Sequence, residues 1–348
     1  MAYRIKPHNF LQDIQSTGFG PMRRETSNRS ACVDVLVAVF NNANTIERAV
    51  QSALAEACVK SVIVIDDGST DETCSVLRCL KDEVGGRLVF QQLDRNEGPS
   101  VARNRGIELS DAPWIAILDG DDYFLPNRIR ALLEASEGAD LVADDQLQVN
   151  EGKDVDPPPS SELLIGLDTT ITVDLSTFVA GNLSQGKRQR KELGFLKPIM
   201  RRAFLDLNQL RYDANLRLGE DFVLYTRALA AGAVFKVIPS RTYVSVVRSN
   251  SISGQHSKRD LEQLRESSNA LAQLPRLTVA ERRLICRHCQ SVDARVQWLN
   301  VIDAVKMRSP TAFLSPFFIR WATSLFLVGR LWEQVILRSK KALGVSLR

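Results

Sequence analysis

From residue 31 onward, short apolar runs alternate with polar stretches whose apolar residues recur at helical spacing. That alternation predicts βα units wound around a largely parallel sheet. Residues 33–39 read as a first buried strand, 61–65 as a second, 87–92 as a third and 114–118 as a fourth. A shorter strand is expected over 140–143, ending at Asp144 and Asp145. Between the first two strands, Asn44 and Glu47 have the spacing of a capping box, and Ile46, Val50, Ala53 and Leu54 form the apolar face of a helix reaching residue 56. Val76, Leu77 and Leu80 mark a second helix. Pro99 opens a third, running to residue 109, because the first helical position has no hydrogen bond to lose. Pro126 is expected to open a fourth through Ile129, Leu132 and Leu133.

Farther along, the regularity weakens. Residues 150–161 hold three consecutive prolines and several charges, which predicts a loop or subdomain boundary. Lys187, Arg188, Arg190 and Lys191 form a basic run best read as a solvated loop. Helical spacing returns over 218–231, a strand follows over 234–238, and everything after Lys258 is helical. The expected division is a peripheral arm over 1–30, an α/β region over 31–257 with halves 31–149 and 150–257, and a helical region over 258–348. The arm carries Lys6, Asp13, Arg23, Arg24 and Glu25 without an apolar centre, so it does not read as a signal peptide.

The last region concentrates bulky apolar residues, among them Phe313, Leu314, Phe317, Phe318, Ile319, Trp321, Leu325, Phe326, Leu327, Val328, Leu331 and Trp332. Arg320 and Arg330 interrupt them, so no run approaches the roughly 20 residues needed to span a bilayer. With Arg338, Lys340, Lys341 and Arg348 following, the pattern suits an interfacial helix on an anionic membrane surface. Packing on the rest of the chain, or on a homo-oligomer partner, is the competing reading.

The composition adds limits. With 44% hydrophobic and 25% charged residues in 348, the chain is neither disordered nor polytopic. A net charge of +4 accommodates anionic ligands but gives no reason to expect a nucleic-acid partner. The six cysteines are dispersed, which favours reduced thiols and a cytoplasmic setting. Cys286, His288 and Cys289 lack a second Cys or His pair at finger spacing, so no zinc site is expected.

Candidate chemistry gathers where strands end. Asp119, Asp121 and Asp122 directly follow the fourth strand, at the edge where open α/β sheets collect ligands. Carboxylates this close repel one another unless a cation intervenes, and hard cations such as Mg²⁺ or Mn²⁺ want such oxygens. The second strand ends in Asp66 and Asp67, with Gly68 allowing a tight turn. Either carboxylate suits a nucleobase N–H or a ribose hydroxyl. Glu220 and Asp221 alone would be read as charges favoured by a helix N-terminus.

Four motifs occur in order: Val37-Ala38-Val39-Phe40-Asn41-Asn42, Asp66-Asp67-Gly68-Ser69-Thr70-Asp71, Asn96-Glu97-Gly98 with Ala102-Arg103-Asn104-Arg105-Gly106, and Leu118-Asp119-Gly120-Asp121-Asp122. Together the chain resembles family 2 inverting glycosyltransferases of the GT-A fold, a Rossmann-like, mixed and mostly parallel sheet flanked by helices. The resemblance is close over residues 31–145 and looser to 253. It implies that Val39, Asn41, Asp66 and Asp67 hold the donor nucleotide, with Arg103, Asn104 and Asp119 helping to form the donor pocket. It further implies that Asp121 is shared between ribose and metal, that Asp122 is the direct metal ligand, and that Mg²⁺ or Mn²⁺ is the cofactor. Gly219-Glu220-Asp221 matches the family's Glu-Asp pair, making Asp221 the base beside Glu220. Arg248, Ser249, Ser251 and Ser253 match a loop that closes over the diphosphate in similar enzymes, and His256 is a further candidate metal ligand.

Processive relatives carry Gln-x-x-Arg-Trp, whereas Arg320-Trp321 lacks the glutamine, which implies addition of a single sugar. The narrower resemblance is to bacterial succinoglycan-type glucosyltransferases, implying a UDP-sugar donor and a lipid-linked oligosaccharide acceptor at the inner face of the cytoplasmic membrane. Three other readings compete. A haloacid dehalogenase-type phosphatase would use Asp119 as nucleophile, but Tyr123 stands where Thr or Val belongs. A sugar nucleotidyltransferase would want a Gly-rich basic loop in place of Phe40-Asn41-Asn42-Ala43. A binding or scaffold protein would not require every acidic position.

Overall fold

The computed structural model describes residues 33–152, 162–183, 193–247 and 257–342. The expected arm, the basic run at 187–191, most of the proline-rich segment, and Arg248, Ser253 and His256 therefore lie outside the described residues.

The first half follows the βα alternation. In chain order it comprises β1 (Val33–Val39), α1 (Ile46–Leu54), β2 (Val59–Asp66), α2 (Thr73–Val84), β3 (Leu88–Gln92), α3 (Pro99–Leu109), β4 (Trp114–Asp119), β5 (Tyr123–Phe124) and α4 (Arg128–Glu134). The second half contains β6 (Leu141–Asn150), β7 (Glu162–Leu163), β8 (Ile171–Val173), α5 (Leu175–Gly181), β9 (Ile199–Arg201), α6 (Arg202–Leu207), α7 (Glu220–Ala230) and β10 (Phe235–Val247). Four helices close the chain: α8 (Lys258–Leu271), α9 (Val279–Lys306), α10 (Pro310–Leu314) and α11 (Trp321–Ala342).

All strands join one mixed sheet ordered β3-β2-β1-β4-β9-β6-β10-β5, with β7 beside β6 and β8 beside β10. Two parallel blocks, β3-β2-β1-β4 and β6-β10, are joined by short antiparallel β9. Successive residues of β1 feed opposite cores because strand side chains alternate. Val35 and Val37 pack with Val62, Val64, Ala116 and Leu118, whereas Leu36 packs with Ile63, Ile65, Ile115 and Ile117. With both faces covered, the strands read as continuous apolar runs.

Several boundaries differ from expectation. Asn44 does not cap α1: the cap is Thr45, whose side chain makes no capping bond and instead donates to the Gly120 carbonyl at 2.9 Å. Helix α4 starts two residues after Pro126, because Tyr123 and Phe124 pair with β10 and Asn127 turns the chain in left-handed conformation. Glu56 caps this helix from outside, accepting from Asn127 N at 2.6 Å and Ile129 N at 2.9 Å. Strand β6 continues past Asp144 and Asp145 to Asn150, and β10 continues past Ile238 to Val247, each supporting the other in parallel.

The helices after residue 257 pack against the α/β region. Leu261, Leu264 and Leu271 of α8 and Ile285, Val292 and Val296 of α9 share a core with Phe178, Phe222 and Tyr225. His288 stacks on Phe222 at 4.0 Å and sits 3.2 Å from Ser268 Oγ, while Cys289 bonds Asn269 at 2.9 Å. No helix among the described residues is long and apolar enough to cross a membrane.

Candidate active site

Three loops at the carboxyl edge of β1, β2 and β4 are knitted into one floor. Asn41, with φ of 53°, receives Thr70 N on its side-chain oxygen at 2.8 Å and donates its own N–H to Ser69 Oγ at 2.8 Å. Asp66 is fully buried and builds the adjacent turn, accepting from Ser69 N at 3.0 Å and from the Cys74 thiol at 2.7 Å. Burial and the Asp66 charge push the Cys74 thiol up to about 11. Gly68, at φ +72°, permits a close approach, since a Cβ there would lie 2.6 Å from the Arg95 carbonyl carbon.

Asp67 joins this floor to α3. Its oxygens accept Glu97 N at 2.7 Å and Gly98 N at 2.8 Å, and its N–H donates to the Val39 carbonyl at 2.8 Å. Burial raises its pKa, and those two backbone bonds oppose the shift. Asp67 thus shapes the wall beside Val39. The Asn104 amide is bonded in both directions to the Tyr212 backbone, at 2.8 and 2.9 Å, which ties α3 to the segment leading into α7.

The charged centre forms where β4 ends and α7 begins. The buried Arg103 guanidinium, on α3, donates to Glu220 at 2.7 Å, Asp119 at 2.8 Å and Asp221 at 3.4 Å. The buried Lys197 ammonium, just before β9, reaches the other oxygens of Asp221 at 2.7 Å and Asp119 at 2.9 Å. Burial alone would raise the Asp119 pKa, but Lys197 and Arg103 outweigh it and hold the carboxyl well below its usual range. Burial likewise works against the charged Lys197, and Asp119 and Asp221 overcome it and hold the ammonium protonated. Two cations and three carboxylates share the site, leaving one excess negative charge.

The acidic cluster is therefore not a set of equals. Asp119 is satisfied by the protein's own cations. Asp122, expected as the direct metal ligand, is buried and accepts Tyr243 OH at 2.7 Å and Val246 N at 2.9 Å. Its pKa is raised by burial and by the neighbouring Asp121 and Asp119. Asp122 fastens β10 beneath the loop, and Tyr243 completes the link by accepting Asp119 N at 3.2 Å. Within the protein, Arg103 and Lys197 bind Asp119 and Tyr243 binds Asp122, which relieves part of the repulsion in the cluster.

Asp121 is the half-exposed member. No group of three or more His, Cys, Asp or Glu among the described residues forms a metal cage. Donors here fit a cation of another kind, one held by one or two carboxylates, Asp121 with Asp119 beside it, and completed by phosphate oxygens and water. A cavity of about 430 Å³, lined by Arg48, Ser52, Glu56, Tyr123, Pro126 and Arg130 among others, includes none of these carboxylates.

Sequence reasoning flagged Arg103, Asp119, Glu220 and Asp221, and the fold brings them together. It missed Lys197 and Tyr243. Lys197 had one signal, a single cation inside the apolar run Leu196, Pro198, Ile199 and Met200. Tyr243 had none, as a tyrosine in a strand is ordinary.

Residues 34–203 match the family described as Glycosyl transferase family 2. The succinoglycan biosynthesis protein ExoU of Rhizobium meliloti is 42% identical over 271 residues, 78% of each chain. ExoO of the same organism, also named for succinoglycan biosynthesis, is 33% identical over 297 residues, 83% of each chain. Among solved structures, residues 1–349 of S. aureus TarS in complex with UDP-GlcNAc align with a TM-score of 0.59 at 18% identity, covering 81% of this chain and 89% of that one. That last likeness shows a shared GT-A-like fold. The motifs, their convergence on one sheet edge and the extent of the match to ExoU agree, and this chain belongs to the family 2 glycosyltransferases.

Proposed function

We propose that this enzyme transfers a single sugar, glucose, from a UDP-sugar to a hydroxyl of a lipid-linked oligosaccharide, with inversion, in bacterial exopolysaccharide biosynthesis. The observation that carries the reading is the junction of β4 with α7, where Asp119, Glu220 and Asp221 are fixed around Arg103 and Lys197. The relatives named for succinoglycan biosynthesis support the pathway class. The UDP-GlcNAc bound by TarS supports the donor class. A lipid-linked acceptor would place the reaction at the inner face of the cytoplasmic membrane.

In this mechanism, Val39, Asn41 and Asp67 frame the base pocket, and buried Asp66 holds its turn. Asp121, with Asp119 beside it, would hold Mg²⁺ or Mn²⁺, which supplies positive charge to the diphosphate. Asp221 is oriented by Lys197 and Arg103 and takes the proton from the acceptor hydroxyl. The hydroxyl oxygen bonds to the anomeric carbon from the face opposite the leaving group. The bond to the diphosphate breaks with its electron pair, so configuration inverts and UDP departs. Glu220 keeps Arg103 in place beneath both carboxylates.

The test incubates the full-length protein with UDP-, GDP- and dTDP-sugars, Mg²⁺ or Mn²⁺, and lipid-linked oligosaccharide, and reads the product's anomeric configuration by NMR. Metal-dependent transfer from a UDP-sugar with inversion is expected. Failure to bind UDP or turn over any nucleotide sugar would overturn the proposal. Retention of configuration would remove Asp221 as base.

A further inference from the structure

We propose that the outward face of α11, with the turn before it, is a docking surface for an anionic lipid bilayer and lies along the membrane rather than through it. This rests on the lipid-linked acceptor reading only for its purpose, not for its geometry.

At about 100° per residue, Trp321, Leu325, Val328, Trp332 and Val335 fall within about 80° of one another on the helix surface. Thr323, Leu327 and Arg330 fall on the opposite side. The structure exposes the first set and turns the second toward the rest of the chain. Thr323 and Leu327 are buried, α11 packs on α9, and Arg330 lies 5.6 Å over the Trp298 ring of α9. Trp321 is 78% exposed, Trp332 66%, and Phe318 in the preceding turn 83%. Amphipathic helices normally turn the apolar side inward. Here the apolar side faces out, and such patches mark interaction surfaces.

Charge selects the occupant. Arg330 pairs with Glu333 at 2.7 Å, and residues 320–341 otherwise contain Arg320, Arg338, Lys340 and Lys341 with no further acid. A second copy of this surface would bring two strongly basic segments together, whereas an anionic leaflet attracts both the cations and the apolar face. Exposed tryptophans suit the headgroup level, where one edge of the ring is wet. None of the described helices is long and apolar enough to cross.

The surface is also tied to the chemistry. Helix α9 has 28 residues, so it is about 42 Å long. His288 in its first half stacks on Phe222, one residue after Asp221, and Trp298 in its second half lies under Arg330. A docked α11 would thus hold the catalytic helix at a fixed height and tilt above the leaflet that carries the acceptor.

The test sediments the full chain with vesicles of phosphatidylcholine alone or mixed with phosphatidylglycerol. The comparison is a triple variant, Trp321→Ser, Leu325→Ser and Trp332→Ser, whose positions all face solvent. Wild type is expected on the anionic vesicles and much less on the neutral ones, with affinity reduced by about tenfold or more in the variant. Circular dichroism and vesicle-free UDP-sugar hydrolysis should stay unchanged. Wild type that ignores anionic vesicles, or a variant that binds them equally, overturns the proposal. In the latter case, a change from dimer to monomer would assign the face to a second copy. Vesicle binding with no hydrolysis of any nucleotide sugar would instead defeat the glycosyltransfer reading and leave the surface standing.

Discussion

Lys197 shows how much one side chain can carry without a motif around it. Its ammonium holds Asp119 and Asp221 together from one side while Arg103 does so from the other. Removing one member of a buried ionic set strands its partners, at a cost of about 3–5 kcal/mol. Lys197→Met is therefore expected to lower the urea midpoint and abolish sugar transfer. Lys197→Arg keeps the charge and should recover most of the stability but less of kcat, because a planar fork cannot reproduce the ammonium geometry. Equilibrium unfolding with paired kcat and KM measurements separates these effects. Asp121 and Asp122 should diverge as sharply. Asp121→Asn is expected to unfold like wild type yet lose metal-stimulated turnover, measured against Mn²⁺ concentration. Asp122→Ala leaves Tyr243 OH and Val246 N without their acceptor, costing about 1–3 kcal/mol for each buried group, so its loss of activity should follow a loss of stability. Cys74 provides a pH signature. Its thiol rises from 9.0 to about 11 on folding, so the neutral form is favoured in the native state. Its contribution is full below pH 9 and lost as pH rises toward 11. Urea titrations across that window should show a decline that Cys74→Ala reduces, and exposed Cys79 should be alkylated first at neutral pH.

At the level of elements, legibility followed burial. Strands β1, β2 and β4 are covered on both faces, so their apolar runs announced them, and α3 was bounded by Pro99 and its own periodicity. Strands β6 and β10 were cut short because polar residues point into the protein and have partners that no sequence pattern displays. Asp144 pairs with fully buried Arg128 at 2.8 Å and also receives Thr242 N and Tyr243 N, each at 3.0 Å. Asp145 accepts backbone N–H groups from Ile165, Gly166 and Leu167, organising the chain after β7. The motif that contains Asn104 gave no sign of its two bonds to the Tyr212 backbone, because a motif fixes residue identity and not side-chain direction. The entry to α7 tests this scale. Gly219 has φ of +72°, and a Cβ there would lie 2.8 Å from Leu264 of α8. Gly219→Ala adds a left-handed conformation to that collision, so a loss above about 1 kcal/mol is expected. Glu220 and Asp221 begin the helix it caps, and kcat should fall further than stability alone explains. Leu264→Ala makes room for the new methyl and should restore part of kcat, whereas unchanged turnover in Gly219→Ala would show that α8 does not set the catalytic helix.

For the whole molecule, no family motif reaches the helical region beyond residue 257, yet helices α8 and α9 share the core with the α/β region. Phe222 is held between Phe178, stacked at 5.7 Å, and His288 at 4.0 Å, so the catalytic helix is backed on one side by α5 and on the other by α9. Leu261, Leu264, Leu271, Ile285, Val292 and Val296 add to the same cluster. Burial of each such side chain contributes about 1.5–3 kcal/mol. A few of them equal the net stability of a typical domain, about 5–15 kcal/mol. A chain ending at residue 257 is therefore expected to lose cooperative unfolding and aggregate through the uncovered faces of α5 and α7. Among the described residues, a chain ending at Ser309 gives up α10, α11 and the turn between them, where Pro316, Thr323 and Leu327 are buried. It should keep a cooperative thermal transition and vesicle-free hydrolysis of the donor. Calorimetry of the two truncations makes the comparison, and a cooperative transition in the chain ending at 257 would show that the α/β region folds without the helices that flank its catalytic carboxylates.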